Sequence, residues 1–89
     1  MPYIKQEDRE KFLIQISELR FQVSKDPQKR PGEMNYIISQ LISLVYGREL
    51  KYYEYNEIMG VLDSAKMEFY RSQVAPYEDK KITENGEVV

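Results

Sequence analysis

The chain has no cysteine, no histidine and no tryptophan, and only four glycines and four prolines in 89 residues. Without cysteine there is no disulfide framework and no thiolate metal site. Without histidine the commonest general base, the commonest metal ligand and the usual near-neutral pH switch are missing. No apolar run approaches the roughly 18 residues that a membrane helix needs. The opening Met1-Pro2-Tyr3-Ile4-Lys5-Gln6-Glu7-Asp8 is too polar for a signal peptide, so a cytoplasmic protein is expected. An excess of positive charge is missing too. Thirteen Lys and Arg face fifteen Asp and Glu, for a net charge of -2. A non-specific nucleic-acid binder lives on counterion release and carries a basic excess, so the balance argues against one. Lys25, Lys29 and Arg30 cluster near a chain break, and the plainer reading of so short a run is a solvated loop.

What is present is helical periodicity. Phe12, Leu13, Ile16, Leu19 and Val23 follow a helical spacing over about 7–25, with Glu7, Asp8 and Glu10 where the dipole favours negative charge. Asp26-Pro27 closes this segment, because the residue before proline avoids the helical region. Pro31 suits the first turn of a second helix, about 31–46, and Glu33 follows at its positive end. Met34, Ile37, Ile38, Leu41, Ile42, Leu44 and Val45 give that helix an apolar face wide enough for contacts on more than one side. Gly47 is the expected C-terminal cap.

A third helix is predicted over about 52–74 from Tyr55, Ile58, Met59, Leu62, Ala65, Met67, Phe69 and Tyr70. Gly60 lies inside it, either for a close backbone approach or as a simple weakening of the helix. Pro76 is expected to break or kink the run, leaving a charged extension over 76–89 with a stop at Asn85-Gly86. The expected fold is a single all-α domain, a small bundle of three helices plus that extension. The apolar excess of the second helix points to a homo-oligomer.

Catalysis finds little to stand on. Glu54 and Glu57 share a helical face and could begin a magnesium site, joined by Asp63, as in all-α nucleotide pyrophosphohydrolases. The second pair that such a site needs fails, because Arg71 and Lys81 stand where carboxylates should follow Glu68 and Glu78. A di-iron site needs histidine, no Walker-type loop occurs, and no serine has an activating base at an obvious spacing. A magnesium-dependent nucleotide hydrolase is therefore the weakest reading. No catalytic residue, metal ligand or cofactor is assigned.

The unusual count is eight tyrosines against three phenylalanines. Tyrosine covers apolar surface while keeping a polar tip, so these rings can simply edge a small core. Tyrosine and arginine are also enriched at protein–protein hot spots. Rings beside cations can alternatively stack on a base while Lys and Arg hold phosphate. The candidate ligand-binding set is Tyr3, Lys5, Tyr70, Arg71, Tyr77, Lys80 and Lys81.

Several segments carry a resemblance. They are Met1 to Arg9, Pro31-Gly32-Glu33-Met34-Asn35-Tyr36, and the stretch from Tyr55-Asn56-Glu57 through Gly60-Val61-Leu62. The most specific are Lys66-Met67-Glu68-Phe69-Tyr70-Arg71, Val74-Ala75-Pro76-Tyr77-Glu78-Asp79-Lys80-Lys81 and Glu84-Asn85-Gly86. Together they resemble a family of short proteins of unknown function from tailed phages and prophage-bearing bacteria. The resemblance implies a phage or mobile-element setting and supplies no active site. The expected function is a non-enzymatic binding protein that acts on a protein partner, such as a host protein, or by self-assembly. The alternative is an oligomeric binder of a small anionic nucleotide, such as a host immune signal.

Overall fold

The computed structural model describes residues 4–89. Every regular element among them is helical. The chain divides into two compact units, 1–49 and 50–89.

The first unit starts with a 3₁₀ turn, Gln6–Asp8, and continues into α1, Glu10–Gln22, and α2, Arg30–Tyr46. α1 ends three residues before the point that Asp26-Pro27 suggests, because Val23 is already extended at ψ 132°. Side chains draw the backbone out there. The Ser24 N–H donates to the Glu33 carboxylate at 2.8 Å, so it no longer seeks a helical carbonyl. Ser24 Oγ then accepts the Asp26 N–H at 3.1 Å, and Asp26 Oδ1 accepts the Gln28 N–H at 2.9 Å. These three bonds lace the loop between the helices. At the far end of α2, Gly47 sits at φ 82° and ψ -167°, a region open essentially to glycine, and its N–H donates to the Ser43 carbonyl at 2.9 Å.

The second unit holds α3, Tyr52–Phe69, a π turn over Tyr70–Val74, and α4, Ala75–Asn85. The helix starts where sequence spacing places it. Lys51 is extended and donates its N–H to the Glu54 carboxylate at 3.1 Å. Pro76 does not break the run. A proline lacks the N–H for the bond to residue i−4, and its ring crowds that carbonyl. The chain widens just ahead of it instead, and the Ala75 N–H reaches back to the Tyr70 carbonyl. The segment expected as an extension thus continues the helix to Asn85. Gly86, at φ 89°, ends it and donates its N–H to the Ile82 carbonyl at 2.7 Å.

Burial is sparse in both units. Ile58, 8% exposed, is the single buried hydrophobic side chain among the described residues, and it lies in the second unit. Large apolar side chains stand in the open, among them Phe21 at 75%, Leu44 at 77% and Val45 at 75%. Gly60 has open space where a Cβ would go, so among the described residues no backbone of this chain approaches it closely. Gly60→Ala is accordingly expected to stabilise the helix by about 1 kcal/mol. That should raise the melting temperature by about 4–8 °C, read by circular dichroism. An unchanged or lower value would mean that something outside the chain approaches the helix there.

Candidate functional site

Two surfaces stand out once the helices are placed. The first is a groove of about 380 Å³ between α1 and α2. Ile16, Leu19 and Val23 form one wall, and Met34 and Ile37 the other. They meet because residues three and four apart share a helical face. Lys25 and Arg30 line the same groove and give it a cationic edge; Arg20 lines it too, with its guanidinium over the Phe21 ring, 4.5 Å from the ring centre. Lys25 and Arg30 belong to the basic cluster expected as plain loop, and the folding of that loop sets them beside apolar surface. The Arg30 guanidinium donates to the Lys25 carbonyl at 3.4 Å. Glu33, on the neighbouring wall, has its carboxylate engaged by the Ser24 N–H.

The second surface is on α3. At about 100° per residue, Tyr55, Met59, Leu62, Lys66 and Phe69 fall on one stripe, with Ile58 at its edge. Four carboxylates, Glu54, Glu57, Asp63 and Glu68, decorate this helix against one ammonium, Lys66. Glu54 is engaged as the cap of Lys51. Among the described residues no three Asp and Glu are grouped to hold a metal ion.

The ligand set named from the sequence is distributed as follows. Tyr3 lies outside the described residues. Lys5 precedes the 3₁₀ turn in the first unit, where its carbonyl accepts the Asp8 N–H at 2.9 Å. The other five lie in the second unit. Tyr70 donates its hydroxyl hydrogen to the Glu78 carboxylate at 2.5 Å. Arg71 pairs with Glu68, three residues before it. Lys81 pairs with Glu84 at 3.2 Å and also sits 5.6 Å from the centre of the Tyr77 ring. Lys80 makes no ion pair among the described residues. Tyr70, Arg71 and Lys81 are therefore each engaged with a carboxylate three to eight residues away in the second unit.

The Tyr70–Glu78 bond depends on the π turn. Residues eight apart on an α-helix lie about 80° out of line. The wider turn between them removes that offset and sets the two side chains on one face. The hydrogen bond to Glu78, together with the negative charge of that carboxylate, holds the Tyr70 phenol above its ordinary range. A raised acid binds its proton more tightly in the folded chain. The stabilising share of this bond is complete below the unfolded phenol value and is lost as pH climbs through the raised native one. Glu68 behaves oppositely. The hydrogen bond from Arg71 holds it below the usual carboxylate range, so its share is present above the unfolded value and is lost as pH falls through the lowered one. An ultraviolet-difference titration should show Tyr70 ionising late, as the difference between wild type and Tyr70→Phe. Glu78→Gln should return it to the ordinary range, and an identical titration in the two backgrounds would refute the bond.

Residues 1–88 match a family described as a domain of unknown function, DUF6899. The chain belongs to that family. No curated protein and no solved structure matches it. The family thus spans both units, the groove and the α3 stripe alike. Among the described residues of this family member, no helix is long and apolar enough to cross a membrane.

Proposed function

We propose that this chain works by contact without catalysing a reaction, and that its first partner is a second copy of itself. One observation carries the reading. Apolar residues recur at helical spacing on α1, α2 and α3, yet Ile58 is the single one buried among the described residues. Burying a Leu, Ile, Phe or Met side chain stabilises by about 1.5–3 kcal/mol, so faces of this kind are strong drivers of association. The lack of histidine and cysteine and the engagement of Glu54 in a helix cap support the non-enzymatic part. In the phage or prophage setting that the resemblance implies, such an assembly would offer a host protein a multivalent surface.

A nucleotide-type ligand draws less support, because Tyr70, Arg71 and Lys81 already hold Glu78, Glu68 and Glu84. Light scattering on a size-exclusion column, from micromolar to millimolar chain, tests the proposal. The expected mass is that of two or more chains, with a melting temperature that rises with concentration. A monomer across the whole range would overturn it.

A further inference from the structure

We infer that Asn85-Gly86 is a self-modifying site, and that the closing hydrogen bond of α4 sets its rate. The chain holds three asparagines, Asn35, Asn56 and Asn85. Asn35 and Asn56 lie inside α2 and α3, and the side chains of Tyr36 and Glu57 crowd the peptide nitrogens that follow them. Asn85 is the last residue of α4 and is exposed, and the glycine after it has open space where a Cβ would stand. An unhindered peptide nitrogen just beyond an asparagine is the nucleophile of deamidation. The Gly86 nitrogen gives its proton to solvent and bonds to Asn85 Cγ, the Cγ–Nδ2 bond breaks, and ammonia leaves. One water then opens the five-membered imide. Cleavage of its N–Cγ bond gives aspartate, and cleavage of its bond to the main-chain carbonyl carbon gives isoaspartate. No oxidant, reductant or enzyme takes part.

The fold holds this reaction back. The Gly86 N–H donates to the Ile82 carbonyl at 2.7 Å, and the helical backbone at Asn85 keeps the Gly86 nitrogen out of the plane in which the ring closes. The ring forms when the last turn opens. Little beyond its own ladder secures that turn. The Thr83 hydroxyl donates to the Asp79 carbonyl at 3.1 Å, and the Lys81–Glu84 pair is exposed to solvent. Val88 and Val89, beyond it, are exposed as well. Helix segments open and close in about a microsecond, and ring closure is slower by many orders of magnitude. The observed rate therefore follows the fraction of chains with the turn open. The product then undoes the cap. Isoaspartate lengthens the backbone by one carbon and carries the Gly86 N–H away from the Ile82 carbonyl. Either product sets a new carboxylate at the negative end of the helix dipole.

The test incubates the full-length chain in mildly alkaline buffer and locates the product by peptide mass mapping. Labelling by an isoaspartyl methyltransferase is the second readout. Asn85 is expected to convert ahead of Asn35 and Asn56, and more slowly in the folded chain than in the chain unfolded by urea. Two variants isolate the gate, with helicity checked by circular dichroism. Thr83→Gly and Thr83→Ala both lack the hydroxyl and leave Asn85-Gly86 untouched, but they differ in helix propensity within the last turn. Asn85 should convert about fivefold faster in Thr83→Gly than in Thr83→Ala. Thr83→Ala should also convert more slowly than wild type, so the gate is readable from the stabilised variant even if Thr83→Gly loses its helix. Equal rates in the two helical variants, a folded rate equal to the unfolded one, or conversion led by Asn35 or Asn56 would each overturn the inference.

Discussion

Ile58→Asp is expected to abolish the folded form of residues 50–89. Ile58 is the single buried hydrophobic side chain among the described residues. A carboxylate placed there without a partner must be desolvated or forced to take up a proton, at a cost of several kcal/mol. A unit of about forty residues lies at the size where a hydrophobic core alone seldom suffices. The milder Ile58→Ala removes the same contacts without adding a charge and should cost about 2–5 kcal/mol, nearer the low end because the surroundings are open. Circular dichroism at the helical band, followed through a thermal melt, reads both. A full helical signal with an unchanged midpoint in Ile58→Asp would mean that Ile58 does not organise this unit.

The second large effect is a gain. Pro76→Ala returns an N–H donor to the helix and removes the ring that crowds the carbonyl of Ser72, four residues earlier. The π turn loses its cause, and α3 and α4 should close into one α-helix. The expected stabilisation is on the order of 1–3 kcal/mol, seen as a higher melting temperature. The same change should carry Glu78 about 80° away from Tyr70. The phenol should then titrate in its ordinary range. A stabilised variant that keeps the late-titrating phenol would show that proline is not what widens the turn. The two readouts, stability up and the Tyr70 shift gone, have to appear together.

Much of the fold is legible in residue spacing. The starts of α2 and α3, the stop at Gly47 and the stop at Gly86 follow from a proline at a first turn, a periodic apolar face and two glycines at positive φ. The end of α1 is not legible in this way. It is decided by Glu33, nine residues further on, which captures the N–H of Ser24. Spacing rules are local, and that bond is not. Pro76 misleads for a different reason. Proline forbids one hydrogen-bond pattern, and the chain satisfies it with a wider turn in place of a break.

The candidate ligand set suffers from the same two blind spots. Tyr70 and Glu78 look unrelated at a separation of eight until the π turn brings them into line. Arg71 and Lys81 each have a carboxylate three residues away, a pairing visible in the sequence and outweighed there by their nearness to tyrosines. The groove is half visible in the sequence: Lys25, Lys29 and Arg30 stand out as a cluster, but that Lys25 and Arg30 share a groove with Ile16, Leu19, Met34 and Ile37 depends on how the loop sets α1 against α2.

The joint between α2 and α3 is closed from both sides. The Gly47 N–H is spent on Ser43, and the Lys51 N–H is spent on Glu54. Each helix therefore finishes its own hydrogen bonding before the connecting peptides begin. Cleavage after Arg48 by a trypsin-like protease would sever the polypeptide without uncapping either helix. The two fragments would stay together only through whatever non-covalent grip the assembled molecule exerts.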